Sequence, residues 1–490
     1  MLILLALLLF ALSASFMHFG LICCSLLAVK MASTRKGIRS TTNNIDFGVG
    51  LNGAALIVGL NSALQKRFIM GPHSTLVPGN VHRAQRVEEG VGGKGQDVAV
   101  AFSCLLPTNN DKNIETSRSL PFLLAQFVGK GPDGDSVMKL LQERIGPHVL
   151  HGGQDVPDHA RCLTVRTRSK MRICTTIVAS DVSTELVEPS GAVEADELAD
   201  LLDRVYRLAS MSSSAAARSK LASLCIMGST PPGCPVHTYA DLAKLSVDQE
   251  TLVVIDSVIG LGPLLLELAH IGTKCAILKV NLSELYGLVY DRSSTDSAAG
   301  EASLDDKIQK VLNAVHSFLK KNQPRVTKAL SHVAITDGKG VAYLVALLRD
   351  ETSSQIESEA VAVGIQLWKI PVPKLPKDKA LFPIGAGDTV SAGTLASLMY
   401  LKNQREGSSS ADFMKERICT SLNSMAPCYD SSLGGEVACA FSFGLACASA
   451  SCLQAENSVL SVEDALNLFS NMSKPLLLAD EVLIIPNDSI

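Results

Sequence analysis

The sequence predicts an α/β protein built on a mostly parallel sheet with helices on both faces, and three observations predict it. Short apolar runs recur along the chain: ALIVGL ending at Leu60, PFLLAQFVG (121–129), SLCIMGS (223–229), LVVID (252–256), CAILKV (275–280) and HVAITDG (332–338). They are continuous rather than alternating, as befits strands buried on both faces. Helical periodicity fills the intervals, as in DSVMKLLQERI (135–145), SVIGLGPLLLELAH (257–270) and LDDKIQKVLNAVHSFLKK (304–321). Strand alternating with helix demands crossover connections and hence parallel pairing. The runs also end in Gly, Asp, Ser or Asn, and in such sheets ligands bind beyond the C-terminal ends of the strands.

The segment RCLTVRTRSKMRICTTIVAS (161–180) breaks the pattern by alternating polar and apolar residues. It reads as a two-stranded ribbon outside the main sheet, either a lid or an edge hairpin. Four polar, low-complexity stretches read as surface insertions, at 108–119, 210–220, 292–303 and 402–435. Such loops lengthen at small entropic cost.

Composition narrows the function classes. The 490 residues carry 44 basic and 48 acidic side chains, a net charge of -4, with no basic block, which argues against a nucleic-acid surface. The 13 cysteines are odd in number and form no Cys-x-x-Cys pair, so reduced, buried thiols are expected rather than a disulfide framework or a zinc site. From Met1 to Val29 there is no charged residue, and a Ser/Thr-rich basic stretch follows Met31. The apolar part lacks a basic start yet is long enough to span a bilayer. Residues 1–50 are therefore set apart as a targeting or anchor segment and linker. A secretory signal, a membrane anchor, a two-part plastid-type signal and a cytoplasmic protein starting near Met31 all fit. The segment, if retained, would meet a membrane or translocation machinery. One catalytic domain is expected over 51–478, with the insertion at 402–435 and a C-terminal tail at 479–490.

Two motifs carry chemistry. In EGVGGKGQDVAVAFSCLL (89–106), glycines flank Lys94 just before a helical pattern. Residues without Cβ let a ligand approach the backbone. In FPIGAGDTVSAGTLASL (382–398), Gly385-Ala386-Gly387-Asp388 precedes a helix of small residues. The N–H groups of a helix start form an anion hole. An aspartate at its mouth either caps the helix or takes a proton from a hydroxyl in line with a phosphoryl group.

With these motifs in order, the chain resembles the PfkB carbohydrate kinase family, the ribokinase-like kinases, over about residues 52 to 475. Gly92-Gly93-Lys94-Gly95 and Gly385 to Asp388 look like its two motifs. Between them, Val128-Gly129 through Asp133-Gly134, Gly228-Ser229-Thr230-Pro231-Pro232-Gly233, Asp256, Asn281-Leu282-Ser283-Glu284 and Thr336-Asp337-Gly338 match smaller family features. Leu60-Asn61-Ser62-Ala63-Leu64, Leu76 to Arg83, and Thr184-Glu185-Leu186 with Glu188-Pro189 are similar to the tagatose-6-phosphate kinase and 1-phosphofructokinase branch.

The resemblance implies a three-layer sandwich with a small β lid and a surface for a homodimer through that lid. It implies an ATP- and Mg²⁺-dependent kinase acting on a sugar or, on the branch resemblance, a sugar phosphate. Asp388 would be the catalytic base, with Gly385, Ala386 and Gly387 as anion hole. Lys279, Asn281, Glu284, Thr336 and Gly338 would serve ATP, and Asn281 and Glu284 would meet Mg²⁺ indirectly, through water. Asn61, Gln65, Gly92, Gly93, Lys94, Asp97, Arg172 and Ser229 would bind the acceptor, Arg172 taking its phosphate through paired bonds. The chain departs from the branch at Gln65 (usually Asp), Asp97 (usually Asn), Phe382-Pro383 and Val341. The alternatives are a kinase for a neutral sugar or nucleoside, and an inactive kinase-like scaffold or regulator.

Overall fold

The computed structural model describes residues 54–71, 74–107, 122–146, 163–179, 182–210, 221–290, 304–322, 325–349, 360–376, 381–406, 414–429 and 433–486. The chain divides into two units, 1–48 and 49–490, and every described residue lies in the second. The apolar N-terminal segment and most of the stretches at 108–119, 210–220 and 292–303 thus fall outside the described residues. Among the described residues, no helix is long and apolar enough to cross a membrane.

In chain order the elements are β1 (Ala55–Asn61), β2 (Ala63–Ile69), β3 (Arg86–Gly92), α1 (Lys94–Cys104), β4 (Phe122–Lys130), α2 (Pro132–Ile145), β5 (Leu163–Lys170), β6 (Ile173–Ala179), β7 (Val182–Val187), α3 (Ala195–Ser210), β8 (Ser223–Met227) and α4 (Thr238–Ser246). They continue with β9 (Leu252–Asp256), α5 (Leu261–Ile271), β10 (Ala276–Asn281), α6 (Leu282–Val289), α7 (Leu304–Lys321), α8 (Arg325–Ala329), β11 (His332–Asp337), β12 (Val341–Arg349) and β13 (Ala360–Pro371). Then come α9 (Ala386–Arg405), α10 (Glu416–Met425), a 3-10 turn (Ala426–Cys428), α11 (Leu433–Ser451), α12 (Val462–Ser470) and β14 (Leu476–Pro486).

All six apolar runs are strands of one ten-stranded sheet, in the order β14-β13-β12-β11-β10-β9-β8-β1-β4-β5. From β5 to β11 every pairing is parallel. Their side chains are buried almost without exception, which is why they read as unbroken apolar runs. Helices α1, α2, α9 and α11 lie on one side with the main core cluster, and α3 to α8 on the other. The sheet then extends through three antiparallel strands, β12 to β14. β14 claims residues 479–486, so most of the expected C-terminal tail is an edge strand.

The alternating segment at 161–180 turns out to be a corner rather than a ribbon. Its first half, β5, is the edge strand of the main sheet, parallel to β4. Its second half, β6, joins a separate four-stranded sheet, β3-β2-β6-β7. That sheet is the lid. β2 follows β1 directly, with Ser62 alone between them, so the chain passes from core sheet to lid at the C-terminal end of β1.

The small residues of α9 serve helix contact. A Cβ on Gly393 would come 2.8 Å from the Gly444 Cα, so α9 and α11 cross with their backbones almost touching, as only glycines permit. The stretch 402–435 is not a surface insertion as a whole. Residues 402–406 close α9, and α10 buries Ile418 and Leu422 completely in the core, beside Met414. Lys415 also donates from Nζ to the Cys104 carbonyl (2.9 Å) and from its backbone N–H to that of Leu105 (3.1 Å). Helix amphipathicity is hidden here between the serine-rich flanks at 407–413 and 430–432, which lie outside the described residues. Ile418→Ala should therefore lower stability by about 2–5 kcal/mol, the range for emptying a closed core site. Urea unfolding would measure it, and a change below about 0.5 kcal/mol, the usual scatter of surface substitutions, would return α10 to the surface.

Candidate active site

The site forms where the parallel strands end and α9 begins. Gly385 caps α9 with φ +75°, a left-handed conformation that favours glycine. A Cβ there would also collide with Ser458 Oγ. The first helical hydrogen bond runs from the Thr389 N–H to the Gly385 carbonyl (2.9 Å), and the Ala386 N–H is taken by the Pro383 carbonyl (3.2 Å). Of the predicted anion-hole residues, Ala386 thus has its N–H engaged. Helix geometry turns the N–H groups of Gly387 and Asp388 outward. Lys279 stands beside them, its Nζ 3.5 Å from where a Gly387 Cβ would sit.

Asp388 keeps part of its surface open to the cleft. Burial, and next the negative charge of Asp256, raise its pKa to about 7, against the pull of Lys94 and Lys279. A carboxyl titrating near neutrality is suited to accept a proton at working pH.

Beneath it lies an ion cluster. Asp256, at the end of β9, is 1% exposed and accepts from Lys94 Nζ (2.8 Å), Lys279 Nζ (2.5 Å) and Ser391 Oγ (3.0 Å). Burial alone would raise the Asp256 pKa, but the two ammonium groups outweigh it and hold the carboxylate below its ordinary value. For Lys94 the balance is mirrored: burial lowers its pKa, and Asp256, Asp388 and Glu284 together raise it above the usual lysine range. Lys94 also reaches Glu284 Oε1 at 3.5 Å. The motif lysine is thus tied to the strand ends.

Above the cluster opens a cleft of about 300 Å³. Asn61, Gln65, Gly93, Lys94, Asp97, Arg172 and Ser229, predicted to meet one acceptor, all line it together with Gly385 and Asp388. Gly92 pairs with Ala63 behind Gln65. Asn61 Nδ2 donates to Ser229 Oγ (2.9 Å) and Gln65 Nε2 to Thr176 Oγ1 (2.6 Å). Arg172 sits at the corner between β5 and β6, its guanidinium donating to the carbonyls of Asn61 (2.7 Å) and Ser62 (3.2 Å). Buried Asp97 is pushed well above the ordinary carboxylate range, by burial first and then by Asp388 and Glu185.

The residues expected to serve the nucleotide gather on neighbouring strand ends. Asn281 closes β10 and caps α6; its side chain accepts from the Glu284 N–H (2.8 Å), while Glu284 accepts from the Asn281 N–H (2.9 Å). Thr336 pairs with Asn281 across β10 and β11, and Gly338 makes the tight turn into β12 at φ +57°. The Asn281–Glu284 pair sits at an open helix start, and among the described residues no three His, Cys, Asp or Glu side chains form a metal cage.

Three participants escaped the sequence reading. Asp256 ends a strand and matches a family feature, but its sequence neighbours give it no role. Glu185, from β7 of the lid, lines the cleft, and its Thr-Glu-Leu passage was a signal of resemblance without a role. Ser458, in the α11–α12 connection, has φ +56°, and its hydroxyl lies 3.2 Å from the Gly385 carbonyl. Nothing local in the sequence marks it.

No known family profile matches the chain. Solved structures do. One is the phosphofructokinase-2 of Escherichia coli in complex with substrates and products, 20% identical, covering 86% of this chain and 99% of that one with a TM-score of 0.51. A possible 1-phosphofructokinase of Thermotoga maritima is 15% identical over 87% of this chain and all of its own, with a TM-score of 0.52. A ribokinase of Giardia lamblia is 14% identical over 85% and 98%, also with a TM-score of 0.52. This chain has the ribokinase-like fold of the carbohydrate kinases.

Proposed function

We propose that the protein transfers the γ-phosphoryl group of ATP to a hydroxyl of a sugar-type acceptor. The observation that carries this is Asp388: a carboxyl near neutral pKa, open to a polar cleft and standing at the N-terminus of a twenty-residue helix. The acceptor oxygen attacks phosphorus, its proton passes to Asp388, and the bond to the ADP bridging oxygen breaks. The N–H groups of the first α9 turn and the Lys279 ammonium face the charge on the transferring phosphoryl. Asn281 and Glu284 would hold Mg²⁺ through its water shell, since a carboxylate and an amide at an open helix start suit an ion that keeps its waters. Bound magnesium would neutralise phosphate charge. Thr336 and Gly338 would border the nucleotide. The branch resemblance favours a phosphorylated hexose.

Acceptor-dependent ADP release across a sugar panel tests the reading, and ATP turnover that no acceptor stimulates would refute it. The pH dependence follows from the base. Below neutrality Asp388 is protonated and cannot accept, so kcat/KM for the acceptor should rise with pH and level off above an inflection near 7. A profile flat across neutrality would assign the proton to another group.

A further inference from the structure

Ser458 is the only non-glycine among the described residues with a positive φ, +56°, and it is completely buried. A serine stays in the left-handed region only where its surroundings hold it there, and such strain gathers at working sites. The connection that carries it, between α11 and α12, embraces the turn before α9 from both ends. The Phe382 N–H donates to the Cys452 carbonyl (2.8 Å), and the Ser458 hydroxyl donates to the Gly385 carbonyl (3.2 Å). Between these points Glu456 pairs with Arg144 of α2. The Gly385 carbonyl is also the first rung of α9, accepting from the Thr389 N–H (2.9 Å) and from the Thr389 hydroxyl (2.9 Å).

The same serine hydroxyl bonds the Asp97 carboxyl. Asp97 comes from the first turn of α1 and lines the acceptor cleft with Gly385 and Asp388. A hydroxyl has one proton to give. Against an ionised Asp97 it would turn that proton to the carboxylate and let go of Gly385. Burial first, then the charges of Asp388 on α9 and Glu185 on β7, make Asp97 keep its proton, against the opposing pull of Ser458 itself and of Arg67 on β2. The carboxylic acid is then the donor, Ser458 the relay, and the Gly385 carbonyl the end of the chain.

We infer that Ser458 is a positioning residue for phosphoryl transfer: together with Asp97 it holds the Gly385 carbonyl, and so fixes where the first turn of α9 aims its N–H groups and the Asp388 carboxyl. The inference rests on the kinase reading. Ser458 itself touches no reacting atom. It acts through placement, and a misplacement of about 1 Å costs on the order of 10²-fold in rate.

Two substitutions separate the hydroxyl from the backbone. Ser458→Ala removes the hydroxyl and keeps the strain, whereas Ser458→Gly removes both, so the glycine variant should melt above the alanine variant. Both should lose about 10- to 100-fold in kcat with KM for acceptor and ATP within about threefold, as befits an interaction that counts only in the transition state. Asp97→Ala should lower kcat as Ser458→Ala does, and the double variant no further, because the two act as one chain. Asp97→Asn, whose amide can still donate to Ser458, should recover most of that loss. Hydrogen exchange in the full chain reads the hold apart from the chemistry. The Thr389 N–H should exchange on the order of tenfold faster in both Ser458 variants than in the parent. Turnover of Ser458→Gly within about threefold of the parent, or a raised KM with kcat intact, overturns the inference and leaves the kinase reading standing. Unchanged exchange at Thr389 does the same. If no acceptor stimulates ADP release by the parent, the kinase reading falls; unchanged exchange then overturns the inference as well, and faster exchange keeps Ser458 as the residue that holds the start of α9.

Discussion

Asp388→Asn is expected to fold like the parent and to lose about 10²- to 10⁴-fold in turnover, the usual worth of a general base. The amide is nearly isosteric and leaves the α9 N-terminus and Gly385 in place, so acceptor and nucleotide binding should survive. A turnover within roughly threefold of the parent would show that another group takes the proton, since loss of a true base exceeds that by more than an order of magnitude. Stability should move in the opposite direction. The native Asp388 carboxyl holds its proton up to about 7, whereas the unfolded chain releases it near the ordinary 3.8. Between those values the native state binds more protons, so this group's contribution declines as pH rises through the window. Asparagine cannot ionise and escapes the decline. The variant's melting midpoint should match the parent's only below about pH 4, exceed it by a growing margin as pH rises towards 7, and keep the full margin above neutrality. A buried carboxyl held near neutrality is in this sense a local liability for the fold.

Both the fold and the centre of the site were legible for a common reason: their signals are local. Parallel strands buried on two faces read as apolar runs, and all six such runs found their places between β4 and β11. The GGKG and GAGD turns are written in consecutive residues, and the structure brings both to one cleft. What could not be read depends on distant partners or on environment. β12 to β14 are antiparallel; β12 is itself an apolar run, VAYLVALL, buried from Ala342 to Leu347, but no short hairpin turn joins it to β13, and β13 alternates in burial while β14 is partly or fully exposed from Leu476 to Leu483 at the sheet margin. The α10 helix hides Ile418 and Leu422 in a stretch whose overall composition is polar. Arg67 is a lid-strand arginine only 4% exposed, paired with Glu88 (3.0 Å) and placed in the seam between β2 and β3. No periodicity rule would bury it.

Asp256 is the clearest case. Its three partners lie 162, 23 and 135 positions away along the chain, so no spacing rule links them. The fold joins them because β9 and β10 are neighbours, α1 starts beside β1, and Ser391 falls one turn into α9. Asp256 thereby ties the first motif, through Lys94, to the second, through Ser391 and the Lys279 ammonium beside Gly387.

Removing this hub should therefore cost more than any surface ion pair. In Asp256→Ala, Lys279, 7% exposed, would lose its counter-charge in the protein interior. Breaking a buried pair from one side typically costs 3–5 kcal/mol, because the remaining charge is left without solvent or partner. Lys94 is 37% exposed at its side chain and still has Glu284, so it should contribute little to that loss. Denaturant unfolding would measure the change. The double variant Asp256→Leu with Lys279→Met should recover much of it, since replacing a buried pair by packed apolar groups is often neutral. The catalytic consequence separates an electrostatic role from a structural one. Asp256 is the main charge that raises the Asp388 pKa, and it also occupies the two lysines that lower it. In Asp256→Asn, which preserves shape, the Asp388 carboxyl should ionise more readily and the inflection of the pH–rate profile should move to the acid side of 7. A variant that loses stability yet keeps its inflection near neutrality would confine Asp256 to holding the strand ends together.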